Sequence, residues 1–400
     1  MKIQNIQTLI EQRFTEMQEI RRFLHMHPEL SYEEFETANY ICAYYDRLGI
    51  PYERNVGGNG IVARIEGALP GRTVALRADF DALPIQEETG VSYQSTVPNV
   101  SHACGHDGHT ATLLIVAKTL FENREQLAGT YIMLHQHAEE ITPGGAKAMV
   151  AAGCLEGVDA VFGTHLWSQF ESGSVQTCPG PMMAGADRFV LKVTGAGGHG
   201  AMPHTTIDAI ALTAQIVSTL QQIVARRINP TSPAVLTVGS FHSGDAFNII
   251  AGTAEITGTV RTFSTEVREN IVFEMERIIK GLCDAAGASF DFEYTRGHPP
   301  VINHPEMAKQ VLTTASTIPG VSSVQVMEAN MVGEDFSYYL NEKPGSFFFT
   351  GAKPTDGPAY PHHHPKFNFD EKAMVIAGKT LATLATNFAS ESVVANDFHI

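Results

Sequence analysis

The sequence predicts an α/β protein, with a mostly parallel sheet in one domain and a second, inserted domain built β-α-β-β-α-β. Three observations predict it. Short apolar runs alternate with helical patterns through residues 73–163, the mark of βαβ units whose strands pair in parallel. From about 187 the order changes to strand, helix, two successive strands, helix and strand. The chain, at 400 residues, also exceeds what one hydrophobic core usually organises.

The elements follow in order. Ile10, Phe14, Met17, Ile20 and Leu24 recur every three or four residues and define one helix face over 8–24. Phe35, Ala38, Ile41, Tyr45 and Leu48 repeat the pattern over 33–48, and Gly49 supplies a stop. Strands are predicted at 73–78, 131–134 and 160–163, and helices at 108–121 and 145–152. In the second segment the strands fall at 188–194, 234–241, 253–262 and 289–294, and long helices at 206–227 and 265–286. That is the split-βαβ, ferredoxin-like order. Beyond about 301 helix and strand alternate again and complete the first sheet. The expected domains are 1–186 with 301–390, the insertion 187–300, and a polar tail 391–400.

A net charge of −16 argues against nucleic acid or an anionic membrane as main partner. No apolar stretch approaches the roughly 18 residues of a membrane span, and Met1–Asn5 opens no signal-peptide core. Five scattered cysteines make a disulfide framework unexpected and point to a reduced cytoplasm.

Histidine carries the chemical signal. There are seventeen, many in clusters: His102, His106 and His109; His135 and His137; His199 and His204; His362, His363 and His364. In open α/β sheets ligands bind beyond the carboxyl ends of the strands. Asp79 and Asp81 follow the first predicted strand, His137, Glu139 and Glu140 the next, and His165 the third. The His362–His364 cluster follows Phe347-Phe348-Phe349 and a loop. The densest segment runs from Ser101 to His109, just ahead of a helix. There Cys104 and His106 can turn inward together, and thiolate with imidazole suits Zn²⁺, Mn²⁺, Co²⁺ or Ni²⁺. The alternative is a loop with a buried cysteine and histidines that cap the helix. Glu139 and Glu140, pointing apart on an extended segment, can divide metal binding and base catalysis, or they can form a solvated surface. His165 can be a ligand or a satisfied core histidine.

Gly195-Ala196-Gly197-Gly198-His199-Gly200 matches G-x-G-x-x-G after a strand. Pro203 interrupts the place where the helix should start, and no acidic strand end follows about 20 residues on. A flexible turn presenting His199 is therefore expected rather than a nicotinamide site. HExxH and GxSxG are absent from the sequence.

Eight segments in order resemble the M20 family of metallopeptidases. They are Arg21-Arg22 through His27-Pro28-Glu29-Leu30, Arg77 to Pro84, His102 to His109, Gln136 to Glu140, Gly163-Thr164-His165, Gly198 to Ala201, Gly333 to Ser337, and His363 to Phe367. The likeness is to the family's aminoacylase and hippurate-hydrolase branch, which includes the IAA-amino acid (auxin-conjugate) hydrolases. It implies a di-metal site with two divalent ions, Zn, Mn, Co or Ni, held by Cys104, His106, Glu140, His165 and His363, with Cys104 bridging. The family's peptidase branches carry His-x-Asp where this chain reads Arg77-Ala78-Asp79. Arg77 cannot ligate, and Cys104 with His106 substitutes. His363 is chosen because the family's ligand stands two residues before the proline. Glu139 is implied as general base towards a metal-activated water. His199 is implied to reach a partner's site across a homodimer or homotetramer, and Asn248 and Arg261 to hold a substrate carboxylate, although Ala251 stands where the family has proline.

The function so implied is hydrolysis of N-acyl-L-amino acids, a small-molecule substrate. The alternatives are an N-acetyl-diaminopimelate-type deacetylase, a dipeptidase or carboxypeptidase, and a binding protein that kept the fold. Retention of Glu139 argues against the last.

Overall fold

The computed structural model describes residues 3–391, so the expected tail falls, but for Glu391, outside the described residues. The chain forms two compact units. The second comprises Met183–Val301 with Ala329–Glu334, and the first comprises the remainder. The unit boundary falls at 182/183 because the chain there already pairs with 329–334: the Ala184 N–H donates to the carbonyls of Asn330 and Val332 at 3.2 and 3.1 Å.

In chain order the elements are α1 (Ile3–Gln12), α2 (Phe14–Met26), α3 (Phe35–Leu48), β1 (Tyr52–Val56), β2 (Gly60–Glu66), β3 (Leu69–Asp79), α4 (His106–Glu122), β4 (Ala128–Gln136), α5 (Gly145–Ala151), β5 (Ala160–Trp167), β6 (Ser174–Thr177) and β7 (Gly180–Met183). The second unit holds β8 (Gly185–Thr194), β9 (Gly198–His199), α6 (Ala209–Arg226), β10 (Ala234–Ser243), β11 (Ile249–Ile250), β12 (Thr253–Thr262), α7 (Thr265–Ala286) and β13 (Ser289–Thr295). β14 (Val301–Asn303), α8 (Pro305–Ala315), β15 (Ser323–Val326), α9 (Ser337–Glu342), β16 (Gly345–Gly351) and α10 (Ala373–Ser390) follow.

The first unit is built on an eight-stranded sheet ordered β1-β2-β4-β3-β5-β16-β6-β15. Its centre, β4-β3-β5-β16, is parallel. Antiparallel pairs join β1 to β2, β2 to β4 and β16 to β6. The central strands are buried on both faces, which is why Val74-Ala75-Leu76 and Phe347-Phe348-Phe349 read as unbroken apolar runs. α4 and α10 cover the sheet, and both are buried nearly all round. The helix expected over 8–24 is two helices. The chain turns at Arg13, whose guanidinium donates to Thr119 and Glu122 of α4, so that α1 packs on α10 and α2 on α4.

The second unit is a four-stranded antiparallel sheet ordered β10-β12-β8-β13, packed against α6 and α7. Phe189, Leu191 and Val193 alternate inward on β8 and meet Ile216, Ile256, Ile271 and Met275. The Asp208 side chain caps α6 by accepting from the Ile210 and Ala211 N–H groups at 2.9 and 3.1 Å. The Gly195–Gly200 run opens no helix. A Cβ on Gly195 would stand 2.3 Å from the Ile207 carbonyl, so that glycine serves a close backbone crossing, and β9 pairs with β11. Among the described residues, no helix is long and apolar enough to cross a membrane.

Candidate metal centre

The carboxyl ends of β3, β4 and β5 converge with the start of α4 in the first unit. β3 ends on Asp79. β4 delivers the loop His137–Glu140. His165 lies within β5, which continues to Trp167 rather than ending before the histidine. Gly105, at φ 96°, makes the turn into α4, so that Cys104 and His106 flank a position that glycine accommodates at little cost.

Five residues expected to act together fall into two groups that share Cys104. The donor atoms of Cys104, His106 and His165 lie within 4.8 Å of one another, as do those of Cys104, Glu140 and His363. Cys104 Sγ stands 3.4 Å from His165 Nε2, and His363 Nε2 3.2 Å from Glu140 Oε1. His106 Nε2 is 3.9 Å from the same Glu140 oxygen. The other ring nitrogens are taken. His106 Nδ1 donates to the Asp81 carbonyl and carboxylate at 3.0 and 3.1 Å, and His165 Nδ1 donates to the Leu166 carbonyl at 2.9 Å. Both rings therefore turn Nε2 towards the same space. His106 Nε2 is buried there without a hydrogen-bond partner. Orphaned polar atoms of this kind call for an occupant, and a thiol, three imidazoles and a carboxylate are a donor set that fits divalent transition metals.

The three adjacent histidines are separated by the fold. His362 Nε2 bonds the Leu166 carbonyl at 3.0 Å beneath Trp167, and His364 stacks on Tyr360. Only His363, held at φ 65° with its N–H on the Ala103 carbonyl, turns to Glu140.

The pair Glu139 and Glu140 does not splay on an extended segment, as its neighbouring positions suggested. Ala138 sits at φ 49°, a left-handed turn, and both carboxylates lie with His106 in one group within 4.8 Å. Negative charge is therefore concentrated. Burial alone would depress the His106 pKa, yet Asp79, Asp81 and Glu140 lift it to about 10. Burial, reinforced by Glu140, Glu139 and Asp79, pushes the Cys104 thiol well above its ordinary value. A cation placed here would reverse that, since it favours the thiolate.

Around these residues lies a layer whose members Asp79, Asp81 and His109 the sequence placed near the site but whose pairing it did not give. Asp79 Oδ1 accepts from His109 Nδ1 at 2.6 Å and Oδ2 from Arg77 Nη1 at 2.6 Å, while His109 Nε2 accepts from the Leu166 N–H at 2.9 Å. Arg77 also donates to Gln136 and Asp335 at 2.8 and 2.9 Å. Burial would raise the Asp79 pKa, but Arg77, His106 and His109 hold it well below the usual carboxylate range. On the far side, buried Arg21 of α2 donates to Asp107 at 2.8 Å, and His25 bonds the same oxygen at 2.8 Å, anchoring the first turn of α4. The available signal was the density of acids and bases near strand ends. Their pairing depends on contacts between distant segments.

His199, Asn248 and Arg261 belong to the second unit. His199 and Asn248 are exposed neighbours, with the Gly200 N–H on the Asn248 carbonyl at 2.9 Å. Arg261 is half-buried in β12, where burial lowers its pKa against the opposing pull of Asp187.

The sequence model of Peptidase family M20/M25/M40 matches residues 75–387. YhaA of Bacillus subtilis (strain 168), which carries an amidohydrolase name, is 54% identical over 376 residues, covering 94% of this chain and 95% of its own. The N-acyl-L-amino acid amidohydrolase of Geobacillus stearothermophilus is 48% identical over 303 residues, 76% of this chain and 82% of its own. Among solved structures, YxeP of Bacillus subtilis, described as a dinuclear metal binding peptidase from the M20 family, superposes with a TM-score of 0.82 at 34% identity, covering 95% of this chain and 99% of that one.

Proposed function

Since the chain belongs to peptidase family M20/M25/M40 and is an amidohydrolase, we propose that it cleaves the amide bond of N-acyl-L-amino acids at a centre that holds two divalent cations. The observation that carries this reading is the convergence of five donor side chains on one space, with the buried His106 Nε2 left unpartnered and Glu139 alongside. The name of the Geobacillus stearothermophilus relative supports the substrate class, and the description of YxeP supports the number of ions.

Cys104, His106, Glu140, His165 and His363 would hold the cations, with Cys104 common to both. When bound, two divalent cations lower the pKa of a water and polarise the scissile carbonyl. Glu139 takes the proton from the attacking water as its oxygen bonds the carbonyl carbon. It then delivers that proton to the amide nitrogen as the C–N bond breaks, releasing a carboxylic acid and a free amino acid. His199 acts on the carbonyl oxygen bound by a second copy of the chain in a homodimer or homotetramer. Asn248 and Arg261 receive the substrate carboxylate, for which a guanidinium fork is suited. The five unpaired, buried cysteines suit a reducing cytoplasm.

Asp81 aims two of these side chains at once. Its Oδ1 accepts from His106 Nδ1 at 3.1 Å, and its Oδ2 accepts from the Glu140 N–H at 3.0 Å and the Ser31 hydroxyl at 2.7 Å. Asp81→Ala is expected to weaken cation binding about tenfold, the lower end of the range for such partners because the Asp81 carbonyl still holds the ring. Titration of metal-stripped protein reads this, and an affinity within twofold of the parent would refute it.

The reading as a whole is tested with metal-stripped protein on N-acetyl and N-benzoyl amino acids and a dipeptide, adding back Mn²⁺, Co²⁺, Zn²⁺ or Ni²⁺. Activity restored by metal on the N-acyl substrates is the expected result. Equal activity before and after add-back contradicts the metal centre, and turnover confined to the dipeptide assigns the site to a peptidase.

A further inference from the structure

We propose that Glu34 is a positioning residue, whose carboxylate fixes the left-handed Ala138 turn from which Glu139 and Glu140 project. This rests on the amidohydrolase reading above. Glu34 stands at the start of α3, distant in sequence from the catalytic loop, and is fully buried. Its Oε1 accepts from the Ala138 N–H at 2.8 Å and from the Tyr32 N–H at 2.9 Å. Its Oε2 accepts from the Asn59 side-chain amide at 2.9 Å. Asn59 in turn reaches the Tyr32 carbonyl at 3.3 Å.

The two backbone groups on Oε1 share a property. Tyr32 lies at φ 69° and Ala138 at φ 49°, both in the left-handed region that residues with a side chain rarely adopt. One buried carboxylate oxygen thus holds two unfavourable backbone conformations, and unfavourable backbone persists where its surroundings over-determine it. Near Ala138 further restraints include the Gly145 N–H on the Ala138 carbonyl at 3.0 Å and the Asp81 carboxylate on the Glu140 N–H at 3.0 Å. Of these two carboxylates, Asp81 also bonds His106, whereas Glu34 accepts from Ala138, Tyr32 and Asn59. Relaxation of Ala138 to a right-handed or extended conformation would redirect Glu139 and misplace the base relative to the scissile bond, while the Asp81 carboxylate still holds the Glu140 N–H. Glu34 therefore acts on proton transfer through geometry, with no contact to substrate.

The test compares Glu34→Ala and Glu34→Gln with the parent protein, each loaded with the metal that best restores activity. Glu34→Gln keeps an acceptor for the Ala138 and Tyr32 N–H groups. In Glu34→Ala, kcat is expected to fall about 100-fold, the scale set by a misplacement of about 1 Å, with KM within threefold and two cations still bound. Hydrogen exchange should accelerate in peptides spanning 137–142 and not in β3 or α4. Glu34→Gln should recover at least tenfold of the lost kcat. An unchanged kcat in Glu34→Ala overturns the proposal. So does a loss accompanied by departing metal or by faster exchange throughout the first unit, since those report a general structural role. If the parent protein hydrolyses no N-acyl amino acid with any metal, the functional reading fails by itself. Exchange at 137–142 then still decides whether Glu34 holds the turn.

Discussion

Glu139→Gln is expected to lower kcat roughly 10⁴-fold, or about 5.4 kcal/mol on the barrier, with two cations still bound per chain. The upper end of the general acid–base range applies because one carboxylate serves twice, accepting a proton from water and returning it to the leaving nitrogen. Glutamine keeps the size and the acceptor oxygen of glutamate but cannot take the proton. Glu139 shares one group with His106 and Glu140 at the tip of the Ala138 turn. The substitution removes a base without removing any of the five side chains assigned to the cations. Steady-state kinetics with metal analysis on the same sample decides the matter. A variant that retains a tenth of the parent kcat with full metal content assigns the proton transfer to another group.

Cys104→Ala is expected to abolish the paired metal centre and reduce hydrolysis to the level of the metal-stripped protein. Cys104 is common to both donor groups, so its loss weakens two sites at once. Cys104→Ser should not restore binding, because a serine hydroxyl does not ionise where a thiol does. The electrostatics add a second readout. Without a cation, burial together with Glu140, Glu139 and Asp79 keeps the Cys104 thiol protonated at neutral pH. Loading must therefore release that proton, and metal uptake should tighten as pH rises. Calorimetry in buffers of different ionisation enthalpy measures the release in the parent, to which His106, lifted to about 10 by Asp79, Asp81 and Glu140, adds its own proton. Two cations bound to Cys104→Ala with unchanged affinity would remove the cysteine from the centre.

Legibility followed burial and periodicity. The second unit was readable almost residue for residue, with α7 at 265–286 and β12 at 253–262, because each helix shows one apolar stripe and each strand lies between turns. The central strands of the first sheet were readable because burial on both faces leaves continuous apolar runs. The β1–β2 hairpin was not singled out, since β1 is largely exposed and carries no such run. The break at Arg13 was hidden because the apolar spacing continues across it. What interrupts the helix is a tertiary contact with α4.

The same division runs through the site. By itself, the sequence determined the residue types and their order: a Cys–Gly–His step before a helix, paired glutamates after a strand, a histidine on the next strand and a histidine cluster near the end. Those are local facts, because strand ends and helix starts are written in short-range pattern. Only the tertiary structure decided which of the three adjacent histidines faces Glu140, that Glu139 and Glu140 turn the same way, and that Asp81 and Glu34 hold their loop. Each of these depends on a hydrogen bond or a left-handed backbone position satisfied by a residue far along the chain. Such pairings leave no periodic trace in the sequence, since the energy of a buried polar contact depends on the partner that folding brings to it.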